Sequence, residues 1–445
     1  MTQRPPHLIY GVDDRPPVPV LILLCVQHIF LMSSTLLLPV VMVTEIGGSL
    51  SQIGAVVAMT MIACGIGTIL QAMRFGIVGS GFLCPNLCGP NFFTASMEAA
   101  WLGGLPLVRG MTIVAGLFEA AFSRVVHRLK FLFPPEITGL VVLMVALGLI
   151  PLATSKFLGI NFEGEPIKGM NLLLAALTLF LMVAVNLWGS PKLKMYSVLI
   201  GMVFGYLLSV LTEQTTSEQF RSFLEAPWIA LPLYEGMFDI SFRWSLLPAF
   251  LIVSITGALK SFGNLILAEK VNDEEWKEPD MKRIGNGLFA DSLCVTTSGL
   301  LGGMASDTSA SNVALSDASR ATSRWIGYGA GVLFIILGFS PKIGLLFSIM
   351  PSPVMGAILI FVTSFMIMSG LKIILGAGAD VRKTFVIGVA LMFGLSLDIL
   401  PSLYAGIHPW IQPLFDSSLT LSTVLAVILT QLFRLRNLWK KEATA

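Results

Sequence analysis

Long uninterrupted apolar runs govern what this chain can fold into. Leu172–Leu187, Ser245–Leu267 and Leu419–Phe433 each approach or exceed the ~20 residues with which a helix crosses a hydrocarbon core of ~30 Å. They belong to a chain of 445 residues that is 55% hydrophobic and only 12% charged, whereas soluble domains carry roughly a quarter charged residues. One core cannot hide that much apolar surface, and a water-soluble fold would expose patches that aggregate. Lipid is therefore the expected solvent. The polar, Pro-rich start, Met1–Pro19, enters the first apolar stretch without a small-residue cleavage site, so the first span is expected to be retained.

Several function classes are excluded on composition and motif. Cys25, Cys64, Cys84, Cys88 and Cys294 lie mostly in apolar segments without zinc-type spacing and read as small buried hydrophobes, with a Cys84–Cys88 thiol pair as the alternative. No metal is expected. A net charge of +2 without a basic, aromatic-interleaved stripe argues against nucleic acid. A nucleophile elbow, a phosphate loop and a His/Cys/Asp ligand cluster are all missing from the sequence, so neither an enzyme nor a nucleotide-driven pump is expected, and no cofactor is implied.

Length and flanks give an all-α polytopic membrane protein of about fourteen segments, two of them short and broken. The first seven begin near Leu21, Ile53, Phe82, Thr112, Ile137, Leu172 and Ser197, and the second seven near Ser245, Ile284, Ser309, Gly327, Pro353, Thr384 and Leu419. With both termini cytoplasmic, most Lys and Arg fall inside, among them Arg4, Arg74, Arg124, Lys130, Lys192, Lys194, Lys277, Lys282, Arg320 and Arg382. Glu163, Glu165, Glu213, Glu218, Glu225, Glu235 and Asp239 fall outside. An odd number of segments per half fits, provided that the halves are inverted.

Each half holds one stretch too rich in Gly, Pro and Ser for an ordinary span: Gly79–Gly104 and Ser298–Ser323. Paired interruptions point to a solute site built from broken helices in an inverted repeat, with plain re-entrant loops as the alternative. Pro90 suits the first turn of a half-helix, preceded by an extended Val78–Cys84. Thr308, Ser309 and Ser311 can cap a second half-helix running toward Arg320. Two helix N-termini facing one another offer unpaired N–H donors and partial positive charge, suited to carbonyl oxygens or an anion. Irregular backbone at membrane depth needs shielding by protein or a wet cavity.

Fragments in succession carry a resemblance: Gln27-His28-Ile29-Phe30 with Pro39; Phe133-Pro134-Pro135 with Thr138-Gly139; Tyr196-Ser197-Val198-Leu199-Ile200-Gly201; Ser261-Phe262-Gly263-Asn264; Ala290-Asp291; and Pro351-Ser352-Pro353-Val354-Met355-Gly356. Over nearly its whole length the chain resembles the nucleobase/ascorbate transporter family of cation symporters, the xanthine/uracil permease type. The resemblance implies a homodimeric inner-membrane (plasma-membrane) transporter with two inverted repeats of seven segments. Residues 1–133 and 240–345 would form a core domain, and residues 134–215 and 346–437 a gate domain. Segments 3 and 10 would be the broken helices. A xanthine, urate or uracil-class solute would be imported by core-against-gate movement, driven by protons or another cation.

The departures from the family pattern bear on the solute. The family signature opens on Gln or Glu before Asn, where this chain has Ser311-Asn312, and Ser319-Arg320 closes it. In the eighth segment the family's Glu is replaced by Lys260, with Asn264 one turn later on the same face. A charge inside an apolar segment costs at least ~2.5–3.5 kcal/mol, so Lys260 should face the interior. It either favours an anionic solute, in an anion transporter or exchanger on the same fold, or pairs with Asp291 or Glu119, or belongs to a site still adapted to neutral bases.

By resemblance the substrate group comprises Lys260, Asn264, Ser311, Asn312, Ala310, Phe82 and His28, and the proton-coupling group Asp291 and His28. For Phe82 the alternative to stacking on a base is ordinary packing, for His28 an interhelical bond, and for Asp291 a structural hydrogen bond. Glu98 and Asp317 are further candidates for cation coupling, with an Asp317–Arg320 pair as the plainer alternative. Gly257, Ala258 and Gly263 are expected to permit close helix contact. On sequence alone, Lys260→Glu should change substrate choice and leave folding intact.

Overall fold

The computed structural model describes residues 5–33, 35–129, 134–160, 166–190, 193, 197–212, 224–234, 236–276, 279–343, 350–376, 380–404, 415 and 418–442. The motif residues Phe133 and Tyr196 lie outside the described residues, as do Arg4, Lys130, Glu163, Glu165, Lys192, Lys194, Glu213, Glu218, Glu235 and Lys277.

The fold is mainly helical. In chain order it comprises α1 (Val18–Ser33), α2 (Leu37–Glu45), α3 (Leu50–Ala72), β1 (Asn86–Cys88), a 3₁₀ turn (Pro90–Phe92), α4 (Phe93–Leu129), α5 (Pro135–Gly148), α6 (Ile150–Leu158), α7 (Gly169–Trp188) and α8 (Ser197–Leu211). The second half comprises α9 (Leu247–Val271), α10 (Met281–Leu301), β2 (Ser306–Thr308), α11 (Ala310–Ala318), α12 (Arg324–Gly338), α13 (Ser352–Gly376), α14 (Val381–Ile399) and α15 (Ser418–Glu442). Among the described residues, seven helical stretches are long and apolar enough to cross a membrane, and Ile200–Leu211, Arg324–Gly338 and Ser418–Phe433 are shorter apolar helices. The helix expected to begin near Thr112 is already under way there. Within α4, Gly103 and Gly104 leave helical geometry, Gly104 with φ +67°, and the helix resumes beyond them.

Both interrupted stretches converge on one small sheet. β1 and β2 pair antiparallel with Asn86 opposite Thr308, Leu87 opposite Asp307 and Cys88 opposite Ser306. Gly89 N–H to the Ala305 carbonyl (2.9 Å) and Ser309 N–H to the Pro85 carbonyl (3.0 Å) lengthen the ladder at either end. All six strand residues are buried, so without this pairing their amides and carbonyls would lose water and gain nothing. The paired strand falls just beyond the Val78–Cys84 stretch expected to be extended. Pro90 stands at the start of the 3₁₀ turn, as its missing N–H predicts, and Ser309 caps α11 by accepting from Asn312 N–H. Upstream, Gly302 ends α10 in the left-handed region at φ +81°.

The helices pack in two groups. α10 lies along α4 and α3, α12 along α3, and α9 along α4; separately, α13 packs on α5, α6 and α7, and α15 on α14 and α5. The groups meet where α9 touches α5 and α15. Glycine pairs set the closest crossings. A Cβ on Gly331 of α12 would stand 2.6 Å from the Gly65 carbonyl oxygen of α3, and a Cβ on Gly139 of α5 would stand 2.8 Å from that of Gly370 on α13.

The N-terminal residues strap the link between α11 and α12. Ile9 and Tyr10 N–H donate to the Arg320 carbonyl, Thr322 N–H to that of Tyr10, and Arg324 N–H to that of Val12. Asp13 pairs with Arg324 at 2.7 Å. Asp317 pairs with His7 at 3.0 Å rather than with Arg320. The reason is local: Arg320 adopts a left-handed φ of +57° where α11 ends, so the two side chains no longer share a helical face.

Gly331→Ala should lower the melting temperature of the purified protein, since overpacking against backbone costs about 1–3 kcal/mol. Gly388→Ala, where a Cβ meets nothing within 4 Å, should leave it unchanged or slightly raised. Equal melting temperatures for the two variants would contradict the close crossing.

Candidate functional site

The two helix starts that follow the strand pair open on one cavity of about 760 Å³, within the ~300–1,000 Å³ of small-molecule sites. Pro90 and Asn91 reach it from the first interrupted stretch, and Thr308, Ser309, Ala310 and Ser311 from the second. Lys260, Gly263 and Asn264 line it from α9, and Val142, Phe361 and Phe365 from α5 and α13. The cavity thus lies between the two packing groups. Gly263 is here an opening rather than a helix contact: a Cβ there would meet nothing within 4 Å, whereas one on Gly257 would meet the Phe92 ring at 3.3 Å.

Of the residues expected to touch solute, Lys260, Asn264, Ala310 and Ser311 line this cavity. Asn264 Nδ2 donates to the Thr308 carbonyl (3.0 Å) and to Thr308 Oγ1 (3.1 Å), tying α9 to the end of β2. Asn312 and His28 do not line it. Both are fully buried; His28 Nδ1 lies 2.8 Å from Asn312 Oδ1, and Asn312 Nδ2 donates to Ser309 Oγ at 2.9 Å. They form a wall behind Ser309, because the first turn of α11 points its Asn side chain back toward α1.

Phe82 also departs from expectation. Its ring is 1% exposed, packed with Phe122, Ala258 and Leu265, and the Arg283 guanidinium covers it at 3.5 Å from the ring centre. The chain between α3 and β1 folds it into this apolar cluster, so the rings at the cavity are Phe262, Phe361 and Phe365 instead.

Asp291 sits behind the strand pair, 1% exposed. It accepts from Asn86 Nδ2 and from Ser261 Oγ, each at 2.5 Å, and Ser261 Oγ accepts from Thr308 Oγ1 at 2.7 Å. A carboxylate thereby joins β1, α9 and β2, and reaches the cavity wall only through two hydroxyls.

The partner of Lys260 is neither Asp291 nor Glu119. Lys260 Nζ donates to Asp307 Oδ2 at 2.8 Å, with the lysine side chain 29% exposed and the aspartate 1%. Asn91 Nδ2 donates to the same oxygen at 3.1 Å, while Asp307 Oδ1 has no hydrogen-bond partner. Asp307 is central in β2, where strand geometry aims it away from its neighbour Ser306, which meets Cys294 and Ser298. Sequence reasoning missed Asp307 and Asn91. The available signal was the need of an intramembrane lysine for a counter-charge, which the second interrupted stretch supplies. Glu98 lies on the first turns of α4, half-buried. The five cysteines are all free and buried, and no metal-holding cluster occurs among the described residues.

Residues 20–403 match the model of the Permease family of xanthine/uracil type (Xan_ur_permease). The chain belongs to that family. It is 26% identical to the xanthine permease XanP of Escherichia coli strain K12, over 96% of this chain and 95% of that protein. It is 27% identical to the uric acid permease PucJ of Bacillus subtilis strain 168, over 95% and 94%. Among solved structures, the transmembrane domain of the cyanobacterial bicarbonate transporter BicA superposes with a TM-score of 0.58 at 13% identity, over 94% of this chain and 99% of that one. The murine anion transporter Slc26a9 gives 0.61 at 10% identity, over 96% and 69%. These two share the fold. The chain is therefore a multi-pass membrane permease and not an enzyme.

The pair revises what a change at Lys260 should do. Lys260→Glu would set a second carboxylate against Asp307, so it should lower stability rather than leave folding intact. Removing one partner of a buried pair costs about 3–5 kcal/mol, and less here because the ammonium is part-exposed. Lys260→Gln and Asp307→Asn should each lower the melting temperature, and the double variant should lose less than the sum of the two. Strict additivity in this cycle would show that the two charges do not interact.

Proposed function

We propose that this permease imports a nucleobase-like solute of the xanthine, urate or uracil class, coupled to protons. The carrying observation is the cavity where two helix N-termini, Lys260 and Asn264 converge. Those N–H groups and the ammonium donate to ring carbonyl oxygens, Asn264 offers its amide oxygen as an acceptor because its Nδ2 is taken by Thr308, Ser311 offers a hydroxyl, and Phe262, Phe361 and Phe365 supply apolar faces for a flat ring. The names of the relatives, a xanthine permease and a uric acid permease, support the same class of solute.

Transport is proposed to follow alternating access within fourteen segments, arranged as two inverted repeats of seven with both termini cytoplasmic, in a homodimer of the inner membrane. The group containing α3, α4, α9, α10 and α12 would carry solute as the core, moving against a gate containing α5–α8 and α13–α15. The position of the cavity between the two packing groups supports this division. His28 and Asp291 would then act from behind the wall, His28 by holding Asn312 and Asp291 by holding the strand pair.

A second reading, an anion transporter or exchanger, draws on Lys260 as the binding charge. Asp307 weakens it, because in the paired state the ammonium is already neutralised and a fully charged anion finds no net positive site.

Uptake of radiolabelled xanthine, urate and uracil in cells lacking their own permeases should exceed that of empty cells and collapse with a protonophore. Transport of none of the bases, with anion exchange that survives the protonophore, would replace this reading by the second. Gly263→Leu should suppress uptake with little loss of melting temperature, since the added side chain enters the cavity.

A further inference from the structure

Resting on the reading that this cavity takes a nucleobase-like solute, we propose that Asp307 is the proton carrier of the permease, and that solute controls it by competing for Lys260. The two partners differ in freedom. Asp307 is held in a paired strand, whereas Lys260 is part-exposed to the cavity on a flexible four-carbon stem. A solute carbonyl oxygen that engages Lys260 draws the ammonium away from Asp307. The carboxylate then keeps one neutral donor, Asn91 Nδ2, and an Oδ1 without a partner.

A buried charge stripped of its partner neutralises in preference to remaining charged. An O–H bond forms at Asp307, its proton taken from a hydronium ion in the wet cavity. When solute leaves on the other side, Lys260 returns, and the proton passes from Asp307 to water. One proton then travels with each solute molecule in the same direction. Solute binding and protonation are thereby coupled without a second binding site.

The neighbouring titratable groups do not offer this. Asp291 on α10 has both oxygens occupied by fixed donors. Glu119 on α4 is paired with no cation among the described residues, so solute has no partner to draw away from it. Cys64 on α3 and Cys88 on β1 also feel the Asp307 charge and are wholly enclosed. Lys260 is the cation that faces Asp307 from α9. Among these acids, Asp307 alone combines a displaceable cation with an oxygen left open.

Two measurements on the full-length protein test the proposal. Infrared spectroscopy without solute at neutral pH should show a protonated-carboxyl carbonyl band in Lys260→Gln, where the ammonium is permanently withdrawn. Taken as a difference against the unmodified protein, so that the buried, unpartnered Glu119 common to all three proteins cancels, that band should be missing from Lys260→Gln/Asp307→Asn. Its absence in Lys260→Gln, or its persistence in the double variant, would overturn the proposal. In proteoliposomes, an inward proton gradient should stimulate uptake of labelled xanthine or urate by the unmodified protein. Asp307→Asn should lose that stimulation, and Asp307→Glu should regain part of it. Retained stimulation in a monodisperse Asp307→Asn protein would also overturn the proposal. If the unmodified protein takes up no base at all, the nucleobase reading fails instead, and the infrared result still decides the role of Asp307.

Discussion

Six residues in two short strands hold the molecule's polar centre together. Their backbone groups are buried within a protein that is otherwise helical, and they are satisfied because Asn86–Cys88 and Ser306–Thr308 meet antiparallel. These stretches are more than two hundred residues apart in sequence, so neither is tenable without the other. Once they pair, the helix starts at Pro90 and Ala310 are carried to one place. The cavity follows from that junction.

Charge is organised around the same strands. Asp291 ties them from behind through Asn86 and Ser261, and Asp307 meets Lys260 from within β2. Each acid is almost completely buried, yet they differ in what binds them: two neutral donors on rigid elements for Asp291, a long mobile ammonium and one amide for Asp307. An ion pair of this kind adds little net stability, since desolvation offsets most of its attraction. In the proposed cycle its value lies in being exchangeable, because a solute that engages Lys260 takes the place of Asp307.

The two interrupted stretches were legible because Gly, Pro and Ser break an apolar pattern that otherwise runs unbroken, and Pro90 and Ser309 took the helix-start positions that their chemistry demands. Lys260, Asn264, Ala310 and Ser311 were placed at the cavity by the resemblance and by spacing along a helix. Phe82, His28 and Asn312 were placed there on the same grounds but stand away from it. Position along a strand or helix says which residues are near a site; it does not say which way a side chain turns when a neighbouring helix competes for it. Phe82 is drawn into an apolar cluster under Arg283, and His28 Nδ1 meets Asn312 Oδ1.

Sequence by itself determined that this chain needs lipid, that it is built of apolar helices, that two stretches must depart from helical geometry, and that an intramembrane lysine requires compensation. Those are consequences of local composition and of the cost of exposing apolar surface to water or charge to lipid. Only the tertiary structure decided that the compensating charge is Asp307, that Asn91 shares it, and that Gly263 opens a cavity rather than closing a helix contact. Such choices depend on which distant segments come within hydrogen-bond reach, a distance of about 3 Å that no local pattern encodes.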